Sequence, residues 1–267
     1  MLRDITLGQY YSTESFIHKL DPRVKLWGTI FYIISLFCFN NLAGYLFAML
    51  FLALVIRLSR VPFRFMVKGM KAIVFLLLIT VGFNLFLTPG TPVVSLWKLT
   101  ITVEGLVLAT TMAVRLSLLI VSSSVMTLTT TPNNLTDGME RMMRPLKLFK
   151  LPVHEVAMMM SIALRFIPIL LEETDKIMKA QIARGADFES GNLFKRAKAM
   201  VPLLVPLFIS AFRRANDLAM AMEARCYRGG EGRTKMKPLI YRRQDYLSYA
   251  VLLIYFVAGV MLGKVAF

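Results

Sequence analysis

The sequence predicts an all-α integral membrane protein with five transmembrane helices and about three long amphipathic cytoplasmic helices. Three observations predict this class: 57% of the 267 residues belong to the set AVILMFWYC, the apolar residues gather in five long runs, and 32 Lys+Arg stand against only 16 Asp+Glu. Intrinsic disorder requires lower hydrophobicity, and a secreted disulfide scaffold requires more cysteines than Cys38 and Cys226. A nucleic-acid-binding domain of this charge would not be this apolar, so no nucleic-acid partner is expected.

Five apolar runs approach the roughly 20 residues that a bilayer-spanning helix needs. The polar pair Asn40-Asn41 separates the first two runs, and a turn at Thr88-Pro89-Gly90 ends the third. The runs are residues 24–39, 42–56, 72–87, 103–128 and 246–262. They predict three parts of the chain, namely an N-terminal segment with four spans (1–130), a cytoplasmic coupling-helix domain (131–244) and a fifth span (245–267).

The charge distribution orients these spans, because basic residues concentrate in cytoplasmic segments. The link between the second and third spans holds five basic residues and no acid, and residues 131–244 hold 20 Lys+Arg against 11 Asp+Glu. The opposite side carries only Lys98 and Lys264 as clear basic residues. The sequence thus predicts a multi-pass protein of the cell membrane with a cytoplasmic N-terminus and an external C-terminus.

The long segment between the fourth and fifth spans has helical periodicity. Thr131-Pro132 starts one helix and Pro152 a second, and a third follows further along the chain. In the second and third helices an apolar face opposes a charged one, which is typical of helices lying on a membrane surface against lipid. A seven-span alternative stays open, because the runs 156–171 and 201–212 are apolar, although both contain proline and continue into charged helix.

Both long helices end in similar tripeptides, Ala183-Arg184-Gly185 and Ala224-Arg225-Cys226, whose arginines are 41 positions apart. Either arginine alone is explained by the negative end of the helix dipole, and a following glycine by an ordinary C-cap. Their duplication in one cytoplasmic segment suggests more, namely two matching cationic plugs for two matching acidic grooves. Arginine suits that role because its fork binds a carboxylate bidentately and never loses its charge.

These endings, the LDPRVKL motif at residues 20–26, the TPNNL motif at 131–135 and the order of the five spans resemble the T component of energy-coupling factor (ECF) transporters. The resemblance extends over nearly the whole chain. It implies an L-shaped protein of the bacterial cell membrane whose coupling helices hold two ABC-type ATPase subunits and an S component that binds a vitamin or metal ion. Cys226 departs from the family's pattern, which usually has glycine there, and this puts the geometry of that helix end in question.

The resemblance also assigns roles to residues of this chain. Arg184 and Arg225 are the coupling arginines, seated in grooves on the ATPases, with Arg228 and Gly229 in support. Ten of the 18 methionines lie between Met139 and Met222, and methionine suits a surface that packs against several shapes, although filling of helix contacts explains it equally well. The side chains that would contact the S component are Met158, Met159, Met160, Leu204, Phe208 and Met222.

No sequence motif for catalysis or for a cofactor was found. Neither G-x-x-x-x-G-K-[ST] nor G-x-G-x-x-G occurs, so we expect a non-enzymatic subunit whose partners hydrolyse ATP. His18 and His154 are far apart in sequence, and two cysteines do not make a zinc site, so neither a metal nor a cofactor is expected. The alternative function is a self-contained ABC-type permease subunit that forms the translocation path, which the few polar residues in the spans disfavour.

Two groups of polar residues near the spans keep open roles. Arg115 lies inside the fourth span, where it either contacts a partner or snorkels toward the cytoplasmic end. A second group at the start of the first span is either a functional latch at the membrane surface or a helix start with a topology signal. That group is Asp21, Pro22, Arg23 and Lys25.

Overall fold

The structure, a computed structural model, describes residues 10–39, 41–96, 99–188, 192–230, 236 and 238–265, so Lys98 lies outside the described residues. Its elements in chain order are α1 (Phe16–Lys19), α2 (Pro22–Cys38), α3 (Leu42–Ser59), α4 (Phe63–Leu87), β1 (Pro92–Leu96), β2 (Leu99–Thr102), α5 (Val103–Thr129), α6 (Pro132–Met142), a 3-10 helix (Arg144–Phe149), α7 (Val153–Ala183), α8 (Leu193–Ala224) and α9 (Arg243–Val265).

The chain divides into two compact units. One comprises residues 8–138 and 239–267, and we call it the bundle unit because it contains α2 to α5 and α9. The other includes residues 139–238, and we call it the hairpin unit because it is built on α7 and α8.

Helices α2 and α9 run parallel in the bundle unit. The backbone amide of Asp21 donates to the carboxylate of Asp245 at the start of both helices, and Ser35 hydrogen-bonds Tyr255 further along. A short turn reverses the chain from α2 into α3. The core of the unit packs around these helices and is made of Tyr32, Leu36, Phe39, Tyr45, Ala48, Leu52, Val61, Met66, Leu118, Val121, Val125, Leu128 and Tyr255.

The residues at the start of α2 determine where this helix begins. The side chain of Asp21 caps the helix by accepting the backbone amide of Arg23 at 2.9 Å, and Pro22 occupies the first helical turn, where its missing N–H costs nothing. Asp21 and Pro22 are buried. Helix α2 therefore begins at Pro22, with Asp21 as its N-cap.

Helices α4 and α5 pair antiparallel and are joined by the β1–β2 hairpin. Gly105 permits a close approach, because a Cβ there would lie 3.0 Å from the carbonyl oxygen of Asn84 and 3.2 Å from that of Leu85. The hydroxyl of Thr102 donates to the carbonyl of Thr88 and caps α5 through the amide of Gly105. Among the described elements this hairpin is the exception to the all-α prediction, which took residues 88–102 for a plain connection.

The helices match the predicted apolar runs, but the number of membrane spans stays a prediction. In the part of the chain that the structure describes, three helices are long and apolar enough to cross a membrane, namely α3, α5 and α7. Helix α2 has only 17 residues, and α7 belongs to the segment for which we predicted a cytoplasmic position. The five-span count, the L-shaped outline and the sides on which the termini lie are likewise predictions.

Candidate functional site: the ends of the α7–α8 hairpin

Helices α7 and α8 form an antiparallel hairpin. Near its middle, the guanidinium of Arg214 donates to the carboxylate of Glu173 at 2.9 Å. Closer to the end of α7, the side-chain amide of Gln181 lies 3.5 Å from the carbonyl oxygen of Pro202. Leu203, which lies on the same helical face of α8 as Arg214, is buried. This face of α8 therefore packs on α7.

Helix α7 ends in a complete Schellman motif. Arg184 is the C-cap, and Gly185 follows with a left-handed φ of 87°. The amide of Gly185 donates to the carbonyl of Ile182 at 2.9 Å, and the amide of Ala186 to that of Gln181 at 3.0 Å. These two bonds satisfy carbonyls that the end of a helix would otherwise leave unpaired.

Helix α8 ends in the same way although it lacks the glycine. Arg225 is the C-cap, and Cys226 takes a left-handed φ of 55°. The amide of Cys226 donates to the carbonyl of Glu223 at 2.8 Å, and the amide of Tyr227 to that of Met222 at 3.0 Å. The doubt about the geometry of this helix end is resolved, because Cys226 reproduces the ending at Gly185. It does so at a cost of about 1 kcal/mol, since its Cβ crowds the following carbonyl.

The two arginines lie at opposite ends of the hairpin. Beyond α8, Gly230 packs against the ring of His154 in the first turn of α7, so closely that a Cβ would collide with it. The end of α8 therefore lies near the beginning of α7, whereas Arg184 lies at its far end. Arg184 lies 11 residues beyond Glu173 on α7, and Arg225 lies 11 residues beyond its partner Arg214 on the antiparallel α8. At about 1.5 Å per residue the two arginines are therefore roughly 33 Å apart along the hairpin.

Both arginine side chains are exposed. In the described ranges neither guanidinium has a carboxylate within salt-bridge distance, whereas Arg214 on the same hairpin is paired with Glu173. Arg228 is exposed as well, and Gly229 has a left-handed φ of 88°. As far as the described residues show, the hairpin thus presents a cation without a salt bridge at each end, on a backbone that a Schellman motif caps.

A second feature of the hairpin is an exposed apolar face on α8, on the side opposite Leu203 and Arg214. Its side chains recur at spacings of three and four residues and are each 49–65% exposed. Two of them, Phe208 and Phe212, contact each other with ring centroids 4.9 Å apart. We call this set the α8 apolar face, and it consists of Val201, Leu204, Val205, Phe208, Ile209 and Phe212.

The other predicted contact residues lie elsewhere on the hairpin. Met159 and Met160 of α7 are exposed, whereas Met158 is half-buried. Met222 is also half-buried, at the last turn of α8, where its carbonyl accepts the Schellman bond from Tyr227. Leu204 and Phe208 thus belong to the exposed α8 apolar face, whereas Met222 lies further along the same side of α8 and is half-buried.

In the bundle unit, the group at the start of α2 is brought together with residues that we did not select from the sequence. Arg23 donates two bonds to the carboxylate of Asp21, at 2.9 and 2.8 Å, and its guanidinium lies 3.7 Å from the ring centroid of Tyr241. Lys25 instead donates to the carbonyl of Thr129 at 2.8 Å. The partners before and at the start of α9, above all the buried Asp245, are 200 residues or more from α2 and give no local sequence signal.

Comparison with known proteins decides the family. The cobalt transport protein model, CbiQ, matches residues 13–236. The energy-coupling factor transporter transmembrane protein EcfT of Clostridium kluyveri is 56% identical over 250 residues, which are 93% of this chain and 93% of that protein. This chain belongs to the EcfT family.

Other members of the EcfT family are similar over comparable lengths. The protein of Ruminiclostridium cellulolyticum is 51% identical over 267 residues, covering all of both chains. That of Bacillus subtilis is 48% identical over 246 residues, 92% of this chain and 93% of its own. The resemblance to ECF transporters is therefore confirmed, and the chain belongs to a family of transporter transmembrane proteins.

Proposed function

We propose that this EcfT-family chain is the coupling subunit of an ABC-type importer, in which it transmits ATP-driven motion of two ATPase subunits to a substrate-binding S component. The observation that carries the proposal is the pair of exposed arginines in the same capped geometry at opposite ends of one hairpin. The substrate, a vitamin or a metal ion, is bound by the S component, and ATP is hydrolysed by the ATPases.

Each arginine side chain inserts into an acidic groove of one ATPase. The guanidinium offers two parallel N–H donors to a carboxylate, and the Schellman motif behind it fixes the direction in which the chain leaves the helix. Removing one partner of such a desolvated pair costs about 2–5 kcal/mol. Arg228, three residues beyond Arg225, adds positive charge at the α8 end.

The separation of the two plugs supports binding to two different subunits. Roughly 33 Å along the hairpin separates Arg184 from Arg225, too far for one groove. When ATP closes the two ATPases, their grooves move toward each other and displace both ends of the hairpin. The helices then rotate about the region where Arg214 holds Glu173.

The α8 apolar face is the surface that bears the S component. It lies opposite the contact with α7, so its movement follows that of the hairpin, and it is apolar enough to bind a hydrophobic membrane partner. Met159 and Met160 supply adaptable contacts. The hairpin lies on the cytoplasmic side, with the N-terminus on that side and the C-terminus outside.

The test is charge reversal at the two arginines that end α7 and α8. We expect Arg184→Glu and Arg225→Glu each to weaken assembly with the ATPases, and the double variant to abolish uptake of the substrate. Because the two sites are far apart, the losses of binding free energy add to within about 0.5 kcal/mol. Copurification of the ATPases and uptake in whole cells are the measurements.

Arg213→Glu is the matched control, because Arg213 is equally exposed on α8 but lies away from both helix ends. It should leave assembly and uptake unchanged. Normal uptake by an intact complex carrying both charge reversals would refute the coupling role.

A further inference from the structure

In the bundle unit, the turn between α2 and α3 stops short of the end of the bundle that α4 and α5 reach. We call this difference in extent the step. At one end, Lys25 in the first turns of α2 donates to the carbonyl of Thr129, the last residue of α5. At the other, Arg115 donates to the hydroxyl of Tyr45, in the first turn of α3, from Nε at 2.9 Å and from Nη2 at 2.6 Å. The turn between α2 and α3 thus reaches only the middle of α5.

Helices α4 and α5 continue together beyond this level. Residues 103–114 of α5 extend past Arg115, and at 1.5 Å per residue they rise about 18 Å above the turn. Thr102 and Gly105 of this part lie against Thr88, Asn84 and Leu85 of α4, so the last half of α4 rises with it. Gly259 of α9 lies against the ring of Phe39, the C-cap residue of α2, and α9 ends six residues later, at Val265.

A bilayer spanned by the full length of α5 would place the turn between α2 and α3 at the depth of the hydrocarbon. The 27 residues of α5 span about 40 Å and the 17 residues of α2 about 26 Å, against a hydrocarbon thickness of about 30 Å. Backbone that leaves a helix inside this thickness must have polar partners, because lipid chains offer none. Asn41, at the start of α3, is polar, and Arg115 lies at the level of this start through its bonds to Tyr45.

Among the residues that the structure describes, no acidic side chain lies within salt-bridge distance of the charged Arg115. Its partners are the hydroxyl of Tyr45 and, at 3.9 Å, the sulfur of Met112, and it lies over the ring of Phe37 at 5.4 Å. No Asp or Glu occurs between residues 22 and 103 of the sequence, and Glu104 is eleven residues away along α5, about 16 Å. These bonds leave one N–H on each of the two terminal nitrogens of Arg115, Nη1 and Nη2. The two remaining N–H groups can donate to two oxygens of one anion.

We propose that Arg115, oriented by Tyr45, binds the phosphate of a phospholipid headgroup from the leaflet on the side of the α2–α3 turn. The step brings this leaflet's surface down to Arg115, and the phosphate supplies the missing negative charge. An apolar track for the acyl chain begins at the same turn and runs along α3 at every fourth residue. Its side chains, 51–76% exposed, are Leu42, Leu46, Leu50 and Leu54.

The lipid itself is the first measurement. The full-length chain is purified in mild detergent with the subunits that copurify, and its retained phospholipids are counted by native mass spectrometry. We expect Arg115→Gln to reduce the tightly retained phospholipid about tenfold or more, and Arg115→Lys to reduce it less, because lysine keeps the charge but not the fork. Tyr45→Phe, which removes the hydroxyl acceptor, should also lower retention.

Arg57→Gln is the control, because Arg57 is an exposed cation near the other end of α3. It should leave the lipid bound near Arg115 in place. Unchanged elution and thermal unfolding of the variants exclude misfolding as the cause. Equal lipid retention by Arg115→Gln and the unchanged protein would overturn the proposal, and so would a photoreactive side chain at position 37 that crosslinks only to protein.

The depth of the step is tested separately with Cys38, which is exposed at the last residue of α2, beside Phe37. In a Cys226→Ser background, a membrane-impermeant maleimide should label Cys38 in proteoliposomes, because headgroups and water reach that level. A cysteine placed at Leu50, further along the apolar track, with Cys38 removed should stay unlabelled. Protection of Cys38 equal to that of position 50 would overturn the proposal.

Discussion

The carboxylate of Asp245 accepts the backbone amide of Asp21 at 2.9 Å and so joins the starts of α9 and α2, which are 224 residues apart in sequence. Its second oxygen accepts the amide of Arg242 at 2.7 Å, and the residue is only 2% exposed. Arg23, which forks onto Asp21, also donates to the carbonyl of Leu239. Hydrogen bonds therefore hold the segment before α9, together with the start of α9, against the first turn of α2.

We expect Asp245→Asn to lower the stability of the bundle unit by about 1–3 kcal/mol. An amide keeps one acceptor oxygen, so one of the two buried backbone amides loses its partner, and that loss carries the desolvation cost. Thermal unfolding of the purified protein in detergent measures it. Asp217→Asn, at an exposed acid on α8, is the control and should leave the unfolding midpoint unchanged.

A pH dependence follows from His18, which lies before the first predicted span. Its Nε2–H donates to the carbonyl of Tyr11 at 3.0 Å, and its Nδ1 accepts the hydroxyl of Ser15 at 2.7 Å. Burial, with a smaller effect of the charge on Lys25, lowers the pKa of His18 below its ordinary value of 6.5, against the opposing effect of the Tyr11 carbonyl. The folded chain therefore favours neutral imidazole.

Because the pKa of His18 is lowered by folding, its contribution to stability is complete above pH 6.5 and is lost as the pH falls through the folded value. We expect the unfolding midpoint to fall as the pH is lowered below about 6.5, and His18→Gln to flatten this dependence. An identical pH profile for the variant would show that other groups control the acid sensitivity.

The order and type of the helices could be predicted from apolar runs and helix-start residues. The fourth run, residues 103–128, corresponds almost residue for residue to α5. The third was placed at 72–87, whereas α4 begins at Phe63. The basic residues before the third run are good helix formers, and α4 therefore begins before the apolar residues do. Hydrophobicity indicates which part of a helix could enter a bilayer, but it does not indicate where the helix itself begins.

The candidate site was only partly predictable for a different reason. Arg184 and Arg225 were found because each ends a periodic segment, and a helix end is a local signal. That they lie at opposite ends of one hairpin depends on contacts such as Glu173 with Arg214, between residues 41 positions apart. Asp245 was missed because its partner is on another helix, and nothing in its neighbours in sequence shows this.

Cys226 offers a matched pair of substitutions with opposite expected signs. Cys226→Gly removes the Cβ from a left-handed position and should stabilise the end of α8 by about 1 kcal/mol, whereas Gly185→Cys introduces the same crowding and should destabilise the end of α7 by a similar amount. Hydrogen exchange at the amides of Tyr227 and Ala186 reports the two Schellman bonds. We expect exchange to slow several-fold at Tyr227 in the first variant and to quicken at Ala186 in the second. Changes of the same sign would contradict the shared geometry.

The α8 apolar face can be weakened without disturbing the helix ends. Leu204→Ser with Phe208→Ser removes two apolar side chains that are 53% and 65% exposed, so the hairpin should stay folded. If a partner buries them, the loss is about 1.5–3 kcal/mol for each, which weakens association with the S component at least tenfold. Uptake should fall while copurification of the ATPases stays normal, since Arg184 and Arg225 are intact. Met220→Ser is the control, because Met220 is 60% exposed but lies eight residues beyond Phe212, the last residue of this face. If the double variant loses the ATPases and keeps the S component, the two surfaces have been assigned to the wrong partners.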